Sequence, residues 1–253
     1  MVERTTNRLI SAPLFCLLAL LFSLNSGAYA QNNDPLEPIN RVSHGFNEVL
    51  DTFLLKPVSK TYQFIMPEFA ERGVRNVFTN VGEVRNIVHN GLQGKGKGVL
   101  QSTGRLLINS TVGIGGLFDV ATKIGIPVER EDLGQTLGSW GVKPGPYLVV
   151  PFFGPSSLRD SLGLFGDPAL SPITYAPVQV EIKTGLSLLS AVQTRADLLS
   201  AEGILAGDTY VNYREAYLSK REFDVNDGQI ETDDFIDDDF EMDEDEGFLD
   251  EAF

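Results

Sequence analysis

The chain has 253 residues, a formal net charge of −15 and a mean hydropathy of −0.03. The charge is unevenly distributed, because residues 224–253 carry 15 acidic residues and no Lys or Arg, whereas residues 1–223 carry equal numbers of acidic and basic residues. A neutral body has no basic face for a phosphate backbone, so nucleic-acid binding is excluded as a function class.

Residues 1–30 have the organisation of a secretory signal peptide. Arg4 and Arg8 precede an apolar core, and Ala28 and Ala30 form a small-x-small cleavage site. The pattern predicts export of the protein.

The same segment bears on lipid attachment. Cys16 is the only cysteine, and Phe15 stands directly before it, where a lipoprotein signal needs a small residue. We therefore expect a mature chain that begins at Gln31, has no cysteine and carries no acyl chain. An uncleaved amino-terminal anchor is the alternative.

Residues 31–223 are long enough for one domain and predict an all-α fold. The first helix opens at Pro35 and Pro38 and is expected to end near Lys56, before Pro57. A second amphipathic helix and a third over residues 98–109 follow. The apolar stripes of the first two helices are Ile39, Val42, Phe46, Val49 and Phe53, and Ala70, Val74, Val77, Val81, Val84 and Val88.

The next segment, residues 104–120 with the sequence GRLLINSTVGIGGLFDV, is apolar and glycine-rich. As a helix, its apolar part would reach about 22 Å, which is shorter than the roughly 30 Å hydrocarbon core of a bilayer. We expect it to dip into lipid without spanning it. Polar residues at such a depth are tolerated mainly beside protein or a wet cavity. A lined passage for an amphipathic molecule is therefore predicted, with these residues at the passage and hairpin: Asn109, Ser110, Thr111, Val112, Gly113, Ile114, Gly115, Gly116, Leu117 and Phe118.

Residues 134–177 contain too many Gly and Pro residues for regular elements to be expected. Aromatic residues lie among them, so an ordered irregular segment is predicted that packs on the body or sits at a membrane interface. Only residues 147–153 carry a strand signal, and flanking prolines argue against a central strand. A long helix should follow Pro177, and Asp208 and Thr209 can cap a last helix that ends at about Glu222.

The acidic tail over residues 224–253 is expected to be disordered, because its like charges repel. Asp237, Asp239 and Glu241 have the alternation of an EF-hand loop, but Met242 stands where that loop needs glycine. A role in docking a partner remains open.

No catalytic or metal-binding constellation is found in the sequence. Gly-x-Ser-x-Gly is absent, and His44 and His89 have no second ligand at helical spacing, so both are expected to be surface or ring-facing residues. The GLQGKGKG run lacks the Ser or Thr of a nucleotide-binding loop and predicts a break between helices, with Lys95 and Lys97 able to reach lipid phosphate. No enzymatic activity, cofactor or metal is expected.

Several segments resemble the MlaA (VacJ) family over about residues 34–223. They are NDPLEPINR at residues 33–41, the apolar run at 104–120, EDLGQTLGSWGVKPGPYLVVPFFGPSSLRD at 131–160, TRADLL at 194–199 and REAYLSKREF at 214–223. The residues that carry the motif segments are Asp34, Pro35, Leu36, Glu37, Asn40, Arg41, Phe46, Gly138, Gly141, Gly145, Pro146, Tyr147, Pro151, Phe152, Gly154, Arg159 and Asp160.

The resemblance implies a mostly helical ring in the inner leaflet of the outer membrane, at its periplasmic face, with a central amphipathic channel. It further implies removal of misplaced phospholipid from the outer leaflet, association with a trimeric porin and delivery of lipid to a periplasmic carrier. Family members are commonly lipid-anchored, so the expected absence of an acyl chain is a departure. The alternative function is that of a soluble periplasmic interaction protein whose apolar stripes form only a core.

Overall fold

The computed structural model describes residues 34–200 and 207–229. Within them the protein is predominantly helical, which confirms the predicted all-α class, and the described strands form one two-stranded sheet. The predicted signal peptide, the start at Gln31, the EF-hand-like residues and most of the acidic tail lie outside the described residues.

The first helix is longer than predicted. Helix α1 spans Glu37–Leu50 and continues through a π-helical turn, Asp51–Leu55, into α2, Lys56–Ile65. The expected end near Lys56 is therefore wrong. A proline lacks an N–H and collides with the carbonyl of a regular α-turn, but the wider π turn, closed by the Lys56 N–H donating to the Asp51 carbonyl, admits Pro57.

Helices α3, Glu68–Leu92, and α4, Gly96–Thr111, form a closely packed antiparallel pair, as the sequence predicted. The faces that meet are polar. From α3 the buried residues include Asn80, Glu83 and Asn86, and from α4 they include Ser102 and Arg105. Gly98 lets the backbone of α4 approach closely, because a Cβ there would lie 1.9 Å from the Asn90 side-chain oxygen.

The Gly/Pro-rich region contains regular elements, contrary to prediction, but they are short. After α5, Val120–Lys123, come α6, Leu133–Ser139, and an antiparallel β-hairpin of β1, Tyr147–Val150, with β2, Gly154–Ser157. A 3₁₀ turn, Asp160–Leu162, leads into α7, Gly163–Ala169, and α8, Pro172–Tyr175. The glycines and prolines therefore separate short elements rather than abolish them.

Two longer helices complete the described structure. Helix α9 spans Val180–Leu198, and α10 spans Thr209–Val225 with the Asp208 side chain accepting from the N–H groups of its first turn. The predicted helix after Pro177 and the predicted cap at Asp208 are confirmed. The body extends past the expected boundary at Phe223, because Asp227 forms an ion pair with Lys95.

The burial pattern is inverted relative to a protein folded in water. Leaving glycine aside, the buried residues of the described part comprise seventeen polar or charged residues and only five apolar ones. Large apolar side chains lie outside, among them Phe64 at 90% exposure and Phe53 at 78%. None of the described helices combines the length and the apolar character that crossing a membrane requires.

Candidate functional site

Two cavities lie inside the arrangement of helices. The first, of about 630 Å³, is bounded by α3, β2, α7, α8, α9 and α10, and the second, of about 720 Å³, by α3, the segment before α6, and α10. Arg85, Asp132, Tyr217 and Arg221 belong to the walls of both cavities. These four residues, which we call the shared wall, are where the two cavities meet.

The two cavities differ in chemical character. The wall of the first cavity contains apolar side chains, among them Phe78, Val81, Phe153, Ile173 and Leu186, beside charged ones, which are Arg85, Asp132, Asp160, Asp167 and Arg221. The wall of the second consists almost wholly of charged and polar residues, with Val128 as its one aliphatic member. Its charged residues are Arg75, Arg85, Arg130, Lys220 and Arg221 with Asp119, Glu131, Asp132 and Asp224. The first cavity is therefore amphipathic, and the second is lined mainly by polar side chains.

Ion pairs hold most of the shared wall rigid. Arg221 donates to Asp132 at 2.6 Å through each of two nitrogens and to Asp160 at 3.0 Å. Burial alone would raise the pKa of Asp160, but hydrogen bonds from Arg159 and Arg221 outweigh it and lower that pKa to about 2. The Tyr217 hydroxyl donates to Asp160 at 2.6 Å, and burial together with this carboxylate raises the pKa of Tyr217. Asp160 is thus charged and Tyr217 protonated at neutral pH.

The apolar hairpin after α4 packs on the middle of α3. Asn76 donates to the Leu117 carbonyl at 3.0 Å, and Asn80 donates to the Ser110 hydroxyl at 3.0 Å. A Cβ at Gly116 would lie 2.8 Å from the Asn80 Cβ, so only glycine permits this approach. The hairpin and the Arg75 to Arg85 stretch of α3, which contributes to both cavities, therefore form one connected unit.

Tight backbone turns shape the hairpin. Gly115 and Gly116 have φ of 67° and 93°, and Ile114 also has a positive φ of 54°, an uncommon conformation for a β-branched residue. A Cβ at Gly113 would lie 2.2 Å from the Phe118 carbonyl oxygen. The backbone therefore reverses in a tight turn at Ile114, Gly115 and Gly116. Val112, Ile114, Leu117 and Phe118 are all exposed.

The three polar residues before the turn hold the hairpin itself. Asn109 is buried, donates to Asp119 at 3.0 Å and accepts from the Ala121 N–H at 2.9 Å. Ser110 accepts from Asn80, and Thr111 donates to the Leu107 carbonyl at 2.7 Å. Both ends of the Asn109 amide are thus engaged within the protein.

A buried charge network lies beneath this turn. Arg105 donates to Glu83 at 2.6 Å, to Asp119 at 3.1 Å and to the Ile126 carbonyl at 2.7 Å. Burial would raise the pKa of Asp119, but hydrogen bonds from Thr122, Asn109 and Arg105 lower it to about 2. Asp119 also caps α5 by accepting from the Thr122 N–H. Glu83 is fully buried, which its position on an amphipathic helix did not indicate.

Comparison of the sequence with known protein families identifies the family to which the chain belongs. A family model described as MlaA lipoprotein matches residues 32–224, which is most of the chain. The chain belongs to the MlaA lipoprotein family.

Individual relatives agree with this assignment. The chain is 36% identical over 208 residues to the Escherichia coli K12 protein named intermembrane phospholipid transport system lipoprotein MlaA, covering 78% of this chain and 80% of that protein. It is 37% identical over 196 residues to an uncharacterised Rickettsia felis protein, covering 76% and 78% of the two chains. A solved structure from work on the structural basis for maintenance of bacterial outer membrane lipid asymmetry matches with a TM-score of 0.67 and 33% identity, over 77% of this chain and all of that one.

The first MlaA-like motif segment joins α1 to the β-hairpin. Asn40 donates to the Tyr147 carbonyl and accepts from the Val149 N–H, each at 2.9 Å, while Asp34 accepts from Asn40 and from the Tyr210 hydroxyl. Arg41 pairs with Glu37 and with Asp208 at the start of α10. This motif therefore positions elements far apart in sequence. Of its other members, Leu36 donates its N–H to Asp34, and Pro35 is exposed.

The second MlaA-like motif segment builds the turn around the shared wall. Arg159 donates to Asp160 at 2.8 Å and to the Val142 carbonyl at 3.2 Å. A Cβ at Gly138 would lie 2.8 Å from both Arg159 and Val225. The remaining motif residues lie at turns or at the surface. Three glycines have a positive φ, namely Gly141, Gly145 and Gly154, and the Pro146 carbonyl accepts from the Leu158 N–H. Pro151 is exposed, and the Phe46 ring packs edge-on against the Phe152 ring.

Two sequence predictions near this region are corrected. Of the two positions expected for His89, at the surface or facing the ring, the surface one is wrong: the side chain is buried, with Nδ1 2.9 Å from the Thr136 hydroxyl and Nε2 3.1 Å from Asp167. Lys95 pairs with Glu131 at 3.1 Å and with Asp227, so it is engaged within the protein rather than directed at lipid phosphate. His44 is half-buried and contacts Thr209 and the Tyr210 ring.

Proposed function

We propose that this protein removes misplaced phospholipid from the outer leaflet of the outer membrane, without chemical change, through a passage formed by the two cavities. The observation that carries the proposal is the pair of adjoining cavities, of which the first combines apolar with charged side chains and the second is lined mainly by charged and polar ones. A diacyl phospholipid has the same division between tails and headgroup. The name of the Escherichia coli relative supports this substrate class.

The outer surface supports residence in a single leaflet. The stripe predicted on α1, from Ile39 to Phe53, is exposed rather than packed in a core. Contiguous apolar surface of this extent marks contact with lipid or protein. The exposed stripe disfavours the alternative of a soluble protein whose stripes form its core. Contact of this surface with a trimeric porin is part of the proposal and rests on the family resemblance.

The hairpin is proposed to border the passage and to gate it. It is fixed to α3 through Asn76 and Asn80, next to residues that line the cavities, while its apolar side chains stay outside. A shift of the hairpin would therefore be transmitted to α3. Lipid that leaves the passage is proposed to go to a periplasmic carrier, because a phospholipid released into water loses the burial of its acyl chains.

Narrowing the passage from within tests the proposal. Gly82 lines the first cavity in the middle of α3, and a Cβ there meets no atom within 4 Å. Gly82→Leu should fill the passage without steric conflict in the protein wall. Gly45→Leu is the matched control, since Gly45 is also a mid-helix glycine with no atom within 4 Å of a Cβ, but it lines neither cavity.

We expect Gly82→Leu to raise outer-leaflet phospholipid, measured by surface labelling and detergent sensitivity, while Gly45→Leu retains wild-type lipid asymmetry. Both proteins should reach the outer membrane in equal amounts and melt no lower than the wild type, because leucine favours helices over glycine. Normal lipid asymmetry with Gly82→Leu would contradict transport through these cavities.

A further inference from the structure

Arg85 occupies the point where the two cavities adjoin. It lies on α3, one turn after Val81 and Gly82 and two turns after Phe78, which line the first cavity. On the same helix, Arg75 contributes to the second cavity. Arg85 contributes to both and is the residue of α3 in the shared wall.

Of the other cations in the cavity walls, all but Arg130 pair with a carboxylate among the described residues. Arg221 pairs with Asp132 and Asp160, Arg75 with Asp197, and Lys220 with Asp224. Arg159 also pairs with Asp160, so Arg221 and Arg159 together compensate the two carboxylates near the shared wall. The wall retains a net positive charge at Arg85.

Arg85 itself has no carboxylate within ion-pair distance among residues 34–200 and 207–229, and its Nε is buried without a hydrogen-bond partner. Burying a guanidinium N–H without a partner is unfavourable, since desolvation is not compensated. Such a group is retained at a functional site when a ligand supplies the missing acceptor.

We propose that Arg85 binds the phosphate of a phospholipid as the lipid moves through the passage. This inference rests on the proposed function. The planar guanidinium offers paired N–H donors that match the geometry of phosphate oxygens. With the phosphate at the shared wall, the acyl chains reach the apolar side chains of the first cavity, such as Phe78 and Leu186, and the polar headgroup faces the second cavity.

The test measures lipid binding to the purified full-length protein in detergent. Native mass spectrometry compares dimyristoyl phosphatidylglycerol with dimyristoylglycerol, which has the same tails but no phosphate, and thermal shift measures protection by inorganic phosphate. The variants are Arg85→Gln, Arg85→Lys and, as control, Arg72→Gln. Arg72 is on the same helix but is exposed, pairs with Glu68 and lines neither cavity.

We expect the wild type and Arg72→Gln to prefer phosphatidylglycerol over the diacylglycerol by about tenfold or more. Arg85→Gln should lose the preference, and Arg85→Lys should keep part of it. The melting temperature of lipid-free Arg85→Gln should not fall, because the substitution removes an unpartnered charge; a purely structural arginine would give the opposite result.

Three results would overturn the inference. Unchanged preference in Arg85→Gln would remove the role of Arg85 while leaving the proposed function intact. Protection by inorganic phosphate equal to that by phosphatidylglycerol would identify a phosphate-ion site instead. Failure of the wild type to bind phospholipid at all would overturn both the inference and the proposed function.

Discussion

Arg105 and Glu83 form an ion pair in which Nε lies 2.6 Å from Oε1, and the two side chains are only 1% and 0% exposed. The pair connects α4 to α3 beneath the apolar hairpin, and Asp119 completes it from the other side. The two helices are thus joined by buried charge on the faces that meet.

Removing the cation of this pair should destabilise the fold strongly. Arg105→Met leaves Glu83 buried without its partner, which should cost about 3–5 kcal/mol of unfolding free energy. Adding Glu83→Gln should recover part of the loss, because the stranded charge is removed. Denaturant unfolding in detergent measures both. The control Arg72→Met, at an exposed pair with Glu68, should cost less than about 1 kcal/mol.

Stiffening the hairpin should stop transport. Gly115 has a φ of 67° and open space around a Cβ, so Gly115→Val adds backbone strain without a clash, whereas Gly116→Val also collides with Asn80. Branched side chains resist such a φ. We expect a raised outer-leaflet phospholipid level in each variant and most of all in the double variant.

Gly94→Val is the matched control for Gly115→Val, since Gly94 has a φ of 74° and equally open surroundings away from the hairpin and from both cavities. It should show a similar loss of stability with normal lipid asymmetry. Wild-type asymmetry in a well-expressed Gly115→Val, Gly116→Val protein would exclude gating, and a collapsed thermal melt would mean that these glycines serve packing alone.

Acid should weaken the fold below about pH 4. The pKa of Asp160 is lowered from 3.8 to about 2 in the folded protein, so its ionised form stabilises the fold above pH 4, and this contribution is lost as the pH falls towards 2. The shift corresponds to about 2 kcal/mol. Asp119 acts in the same direction. Thermal melts between pH 2 and 6 should show the fall, and Asp160→Asn should reduce it; an unchanged slope would argue against the network around Arg221.

The position of a truncation should decide whether the body survives it. Ending the chain after Gln229 should leave the melting temperature unchanged. Ending it after Glu222, where the sequence placed the end of the body, should cost about 1–2 kcal/mol, because Val225 packs beside Gly138 and Asp227 pairs with Lys95. Equal melting temperatures for the two truncations would show that residues 223–229 do not contribute to the stability of the body.

The amino terminus is tested by intact mass. Because Ala28 and Ala30 form the expected cleavage site and Phe15 departs from a lipoprotein signal, the mature protein should begin at Gln31 without an acyl chain. A mass that corresponds to an acylated Cys16 at the amino terminus would contradict this. In that case the acyl chains on Cys16, together with the exposed apolar side chains of the helices, would attach the protein to the membrane.

The helices could be predicted from the sequence where local signals are strong. The valine period of α3 and the Asp208 cap of α10 depend only on neighbouring residues. The direction of the stripes could not be predicted, because an apolar face has the same spacing whether it packs in a core or faces lipid. The π turn before Pro57 was missed, since only the surrounding structure selects the wider turn.

The candidate site could be predicted only in part, because some of its residues are neighbours in the sequence and others come from distant segments. The hairpin is contiguous in sequence and was found from its composition, but the shared wall is assembled from distant segments. Asp132 and Arg221 are separated by 89 residues, and nothing in the local sequence indicates their contact. Arg85 lies between Val84 and Val88 on an amphipathic helix, a position at which an arginine ordinarily faces water.

The outward apolar side chains also determine what can leave the membrane. Phe53, Phe64 and Phe165 alone are each more than three-quarters exposed, and moving each from lipid into water costs about 1.5–3 kcal/mol. If this surface lies in lipid, as proposed, desorption of the folded protein would add such terms over the whole apolar surface. The proposed function therefore requires the phospholipid to leave the membrane while the protein stays in it.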